Sequence, residues 1–304
     1  MLTCAVRWVA TGTATLAAAG VLVSAQAPSG LAPQAGVGQL PSPLPLSNAI
    51  RERGSSVTPA YEGWYHDRDG SVRFLVGYFN RNTKQEFDIP AGPDNRIEPG
   101  APDQGQPTHF SAGRQWGVFT VKVPPNLGTN KMTWTIVTNG FTNTVSLHTR
   151  AEWIVEPYED AAQKNTPPVL RFQPDGPSFT GPPAAVAARY MAAVGVPLAL
   201  TAWVTDEGAK VNVPPPAPGG HTPSNAAPAL AIAWSKFRGP GAVTFDAVKP
   251  PIDRAHGGQA TTMAAFDTPG EYVLRVEATD ASGVGGGGFQ CCWTNAHVGV
   301  TVHN

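Results

Sequence analysis

The sequence predicts an all-β protein built as two β-sandwich-like domains, and three observations carry that expectation. Tyr272, Leu274, Val276 and Ala278 alternate with Val273, Arg275, Glu277 and Thr279, the period-2 pattern of a half-buried antiparallel strand. Asn139-Gly140 sits between two strand-like runs at 132–138 and 141–148. It is a strong short hairpin signal, because both residues tolerate positive φ. Among 304 residues there are 33 Gly and 31 Pro but only 14% charged side chains, a composition that suits many short strands joined by turns.

Composition also bounds the function. Hydrophobic content of 41% suffices for two cores, and a formal net charge of −1 leaves no basic footprint for nucleic acid. Residues 1–25 read as a secretory signal. Arg7 is their only charge, an apolar stretch spans 9–23, and Val23 and Ala25 satisfy the small-x-small cleavage rule. No later segment reaches transmembrane length. The expected product is exported, to the periplasm or the extracellular space. Residues 26–46, with Pro41, Pro43 and Pro45, form a flexible or polyproline-type leader that cannot bury enough apolar surface to order itself.

The first domain is placed at 47–158. Residues 72–80 form a strand with bulky side chains on both faces. Residues 85–89 follow after a polar turn, suggesting a hairpin, and 116–123 alternate well. Trp153 to Val155 would add a last strand. Between strands, 90–114 read as a long structureless connection rich in Gly and Pro, a kind of segment that is functional or packed by its own residues. Its Glu98, Asp103, Gln104, Gln106 and His109 are the candidate binding residues. The aromatic group Tyr61, Trp64 and Tyr65 would be a stacking surface for sugars or peptide if exposed. If buried, it is the first strand of the core, the reading favoured by Trp116, Trp134 and Trp153 nearby.

The second domain is placed at 165–304. Strand signals fall at 196–204, 231–234, 243–245, 261–266, 271–279 and 297–302, interrupted by a Pro-rich insertion at 210–229. Trp234-Ser235, Gly239-Pro240-Gly241 with Val243-Thr244-Phe245, Pro269-Gly270, Tyr272-Val273-Leu274 and Ala278-Thr279-Asp280 resemble the PKD family of immunoglobulin-like β-sandwiches. The likeness spans about 165–302 and departs at the insertion and at the Gly run and Cys pair before the last strand. It implies an extracellular module for spacing, adhesion or ligand contact and carries over no catalytic residue. The whole chain resembles uncharacterised secreted bacterial proteins, which supplies no function.

Chemistry-bearing groups are sparse. Cys291-Cys292 form a vicinal disulfide, bridge to other molecules, or serve with His297 as a Cys/Cys/His set for copper or zinc. Asp206, Glu207, Asp280 and Asp175 with Asn165 would gather at one pole of the sandwich and hold Ca²⁺, or simply cap turns. The seven histidines show no H-E-x-x-H or H-x-H pattern, and neither a G-x-S-x-G elbow nor a Walker loop occurs. The expected function is therefore a non-catalytic binding or structural protein contacting protein or glycan, with no cofactor. The alternative is a hydrolase or a metal or redox enzyme, with its site between the domains or around Cys291, Cys292 and His297.

Overall fold

The computed structural model describes residues 50–161, 164–206, 230–280, 282 and 291–304. The export signal, the leader, Glu207, the Pro-rich insertion and the Gly run lie outside the described residues. What is described is nearly all strand. The N-terminal half contributes β1 (Val57–His66), β2 (Val72–Asn80), β3 (Phe87–Asp88), β4 (Asn95–Glu98), β5 (His109–Phe110), β6 (Gly113–Lys122), β7 (Met132–Thr138) and β8 (Phe141–Leu147). They form the sheets β1-β2-β6 and β4-β7-β8 and the ribbon β3-β5. β7 and β8 pair across Asn139-Gly140, whose φ values of 49° and 78° are those of the predicted tight turn. The sheets close on Phe74, Val76, Phe110, Phe119, Trp134 and Ile136.

The C-terminal half contributes β9 (Val169–Arg171), β10 (Val186–Ala193), β11 (Leu198–Thr205), β12 (Leu230–Arg238), β13 (Val243–Phe245), β14 (Gln259–Phe266), β15 (Gly270–Asp280) and β16 (Trp293–His303). The four-stranded sheets β10-β16-β15-β12 and β13-β14-β11-β9 share one core, an immunoglobulin-like sandwich in which β10 runs parallel to β16. β15 is central in its sheet, paired to β12 and β16. Its Tyr272, Leu274, Val276 and Ala278 are buried, as their alternation predicts. Tyr272 Oη donates to Thr268 O and accepts from Gly241 N. Its ring lies where a Cβ on Gly239 (φ 148°) would come within 2.1 Å, so the turn accepts only glycine there.

Three local expectations need correction, and one strand carries no sequence signal. Residues 85–89 do not form a hairpin with β2, because β3 pairs with β5. Residues 90–114 are not structureless, since β4, β5 and the start of β6 lie within them. Trp153 closes a 3₁₀ turn at Ala151–Trp153 in place of the expected strand, and only Ile154 bridges β1, at Trp64. β10 was not expected at all. Its sequence VAARYMAA lacks the alternation and β-branched content that mark a strand, and its place comes from pairing with β16.

The two halves share a seam. Phe237 at the end of β12 is buried in the N-terminal core, and Val273 of β15 packs against the same cluster. By contact, Leu46–Asn304 is a single compact unit.

Candidate functional site

The seam is built from the outer faces of β15 and β16. On a sandwich facing water these positions would be solvated, and Arg275 and Asn295 fit that pattern by residue type. Here they are buried, at 4% and 2% exposure, because β6 lies over them. Arg275 donates to Asn295 Oδ1 (2.7 Å), Gln115 Oε1 (2.7 Å) and Trp116 O (3.0 Å), and it pairs with Glu277. Asn295 Nδ2 donates to Gly117 O at 3.0 Å. His297 Nε2 donates to Val118 O at 3.0 Å, and its ring stacks on Phe237 at 4.2 Å. Burial pulls the His297 pKa down to about 4, so the ring is neutral at pH 7. At Gly117, φ is 50° and a Cβ would approach Trp293 Nε1 to 2.8 Å. Beneath β6, Gly117 N donates to the buried Glu62 (2.8 Å), which also pairs with Arg114 at 2.7 Å. Burial raises the Glu62 pKa despite those donors.

Beside the seam opens a cleft of about 630 Å³ lined by residues of both halves, among them Glu86, Asp88, His109, Lys236, Lys249 and Arg275. This is the candidate site. β5 brings His109 to its wall, and its register with β3 sets Asp88 opposite. His109 Nδ1 lies 3.0 Å from Asp88 Oδ1, and Nε2 lies 3.2 Å from Glu86 Oε2. Lys236 Nζ reaches the same Asp88 oxygen at 2.7 Å. Burial alone would lower the His109 pKa, but the two carboxylates overcome it and hold it above the ordinary imidazole value. Desolvation likewise works to raise Asp88, yet His109 and Lys236 outweigh it and hold that carboxyl at about 2. The result is a run of alternating charge, carboxylate–imidazole–carboxylate–ammonium, that crosses from one half to the other.

Of the five candidate binding residues, the structure brings only His109 to this cleft. Glu98 faces solvent and pairs with Arg96 at 2.9 Å. Asp103 binds Arg238 of β12 with both oxygens, each at 2.8 Å. Gln104 Nε2 donates to Ile97 O, and the fully buried Gln106 donates to Pro102 O and Asn95 O. These side chains therefore hold the connection in shape. Asn95 is the hub they surround: buried, it donates to Ile89 O and Pro107 O and accepts from Trp134 Nε1.

The other candidates are brought together only in part: Asn165 meets both Asp280 and Cys292, whereas His297 is engaged elsewhere. Cys291 and Cys292 are bonded to each other, with Cys292 Sγ 3.3 Å from Asn165 O. Disulfide sulfurs are not the thiolates that soft metals bind. His297 serves the seam through Val118 and Phe237. Asp280 is buried, accepting from Asn165 Nδ2 at 2.5 Å and Ser282 N at 2.8 Å, while Asp206 follows β11 and Asp175 is exposed on a turn. Among the described residues no group of three or more His, Cys, Asp or Glu side chains is placed to hold a metal ion.

Residue-level reading missed Lys236, Arg275, Asp88 and Glu86. The available signal was Arg275, a long cation in the alternation of a β-rich strand. Its burial became visible only with the second half in place. The aromatic group divides: Tyr65 is buried, Tyr61 and Trp64 are half-buried, and Trp153 is 42% exposed.

No protein-family model and no curated protein matches the chain. Among solved structures, the D00-D0 domain of Intimin is 14% identical, over 82% of this chain and 100% of that one, with a TM-score of 0.26. The titin Ig tandem domains are 11% identical, over 82% and 98%, with a TM-score of 0.22. The Yersinia pseudotuberculosis adhesin InvE is 14% identical, over 81% and 58%, with a TM-score of 0.24. Overlap this low carries no argument about function. Among the described residues no helix is long and apolar enough to cross a membrane.

Proposed function

We propose that the chain is an exported, non-catalytic binding or structural protein of the cell envelope or extracellular space, with a PKD-type module as its C-terminal half, and that it contacts protein or glycan through its cleft, loops and sheet edges. One observation carries the reading. The polar side chains joining the two halves end on one another, as Arg238 does on Asp103 and Lys236 on Asp88, which makes a stiff two-part body and leaves few groups for chemistry. The Cys291–Cys292 bond supports export, because disulfides persist in oxidising compartments. A second reading, a hydrolase acting in the cleft, draws on His109 between two carboxylates with Ser111 and Ser235 on the same walls.

One experiment separates them. A photoreactive side chain replaces the exposed Lys249 in the cleft or, as a control, the exposed Met191 on β10, and the full chain is displayed on the producing cell. A partner captured from position 249 and not from 191, with no turnover of ester, amide or glycoside substrates, is the expected result. His109-dependent turnover would overturn it.

A further inference from the structure

We propose that the outer face of the N-terminal half carries a second site, a groove for an acidic glycan with Trp153 beside it behind His148, where a sugar ring stacks on Trp153 and the acid groups meet Lys131 and Arg150. The proposal rests on the binding-protein reading and names a ligand class for a surface separate from the cleft.

The first observation is a platform. Trp153 is 42% exposed, high for a residue whose area is mostly buried in folded proteins. One face of its ring lies on Tyr61, with centroids 5.2 Å apart and planes at 24°. The His148 ring meets it edge-on at 5.6 Å, and Tyr61 Oη bonds His148 O. Behind it, Trp64 Nε1 donates to Arg150 O at 2.7 Å, fixing the start of the 3₁₀ turn that presents Trp153. A ring held this way offers a flat apolar face with little side-chain entropy left to lose on binding.

The second observation is the groove that His148 and Arg150 line, of about 1380 Å³. That exceeds the usual volume for a single small ligand and suits a chain of several units. An adjoining groove of about 560 Å³, lined in part by Trp64 and His66, shares Pro124, Leu127, Gly128 and Thr149 with it. Over a floor at the buried Leu127, the wall presents Asn126, Thr129, Asn130 and Ser146. These neutral donors and acceptors match a hydroxyl-bearing ligand better than the apolar anchors of a peptide, which need a dry pocket.

The third observation is charge. Lys131 and Arg150 line the larger groove and Lys122 the smaller, with no Asp or Glu lining either. None of the three cations forms an ion pair among the described residues. Glu98, which precedes Pro99 of the larger groove, is paired with Arg96, and Asp69, which precedes Gly70 of the smaller one, is paired with Arg73. Glu152, beside Trp153 in the turn, is the one acid on the platform. The local balance favours an anion.

The test is calorimetric titration of the full chain with oligosaccharides of polygalacturonate and of hyaluronan, and with cellohexaose as the neutral arm. At least one uronate probe should bind and cellohexaose should bind at least about tenfold more weakly. Trp153→Ala should weaken the uronate about tenfold or more while lowering the thermal midpoint by no more than about 4 °C, and Trp153→Phe should retain most of the affinity. Lys131→Ala with Arg150→Ala should weaken it and flatten its salt dependence. Failure of both uronates, equal binding of cellohexaose, or uronate binding indifferent to Trp153→Ala would each overturn the proposal. Capture at position 249 does not involve this face, so loss of the glycan site leaves the proposed function standing.

Discussion

The seam between the halves and the outer groove of the N-terminal half are both rich in aromatic and charged side chains, yet they use them in opposite ways. Along the seam Arg275, Asn295, His297 and Lys236 are buried or nearly so, and each ends on a group of the other half. Lys131 and Arg150 in the groove and Trp153 beside it are exposed, and neither cation is in an ion pair among the described residues. A buried cation must be fully hydrogen-bonded to be tolerated, so the seam's charges are committed to the fold. The exposed ones bear no such constraint. The same residue types thus mark structure in one place and a contact surface in the other, and burial decides between them.

The sharpest way to break this contrast is Arg275→Ala. Removing a buried cation leaves Asn295 Oδ1 and Gln115 Oε1 without their donor and Glu277 without its ion-pair partner, and should cost about 3–5 kcal/mol in urea unfolding. A loss below about 1 kcal/mol would mean that water already reaches the seam. The matching change beside the groove, Trp153→Ala, should cost no more than about 1 kcal/mol by the same measurement, because the side chain is already 42% exposed.

Two histidines sharpen the comparison through pH, with opposite signs. The His109 pKa is raised in the fold, so its contribution is complete below the unfolded value near 6.5 and is lost as pH rises through the folded value. His297 is depressed to about 4. The unfolded chain therefore binds the extra proton between about 4 and 6.5, and this contribution is lost as pH falls through that window. Unfolding free energies measured from pH 4 to 8 should show His109→Gln flattening the decline above about 6.5 and His297→Gln flattening the rise below it. Parallel changes in the two variants would contradict the assigned surroundings.

A smaller effect is expected from Asp103→Ala. Its partner Arg238 keeps the carbonyl of Gln106, and the Asp103 carboxylate is 58% exposed. The loss in urea should stay within about 1 kcal/mol; a larger one would place that pair among the seam's buried contacts.

What was legible in the sequence follows the same division. β15 and the β7–β8 hairpin are set by local chemistry, alternation in one case and positive-φ turn residues in the other, and both are found where they were read. The 90–114 connection reads as structureless because its order comes from partners outside it: β4 pairs with β7, β5 with β3, and Asp103 with Arg238. Gly and Pro made it look loose, while Asn95 and Gln106 fold it from within. Asp88 and Lys236, 148 positions apart, share no local signal at all. His109 was singled out, but its carboxylate neighbours became visible only once β3 and β5 were paired. The sequence suggests a last strand at 153–155, and the 3₁₀ turn Ala151–Trp153 takes its place and leaves Trp153 exposed.

Hydrogen exchange across a urea series, read by mass spectrometry on the full chain, bears most directly on whether the halves behave as one body. With Phe237 of the C-terminal half inside the N-terminal core and Arg275 fastened to β6, the amides of β7 and those of β14 should lose protection at the same urea concentration. Release of β7 at a clearly lower concentration, with β14 still protected, would show two independently folding domains that merely touch.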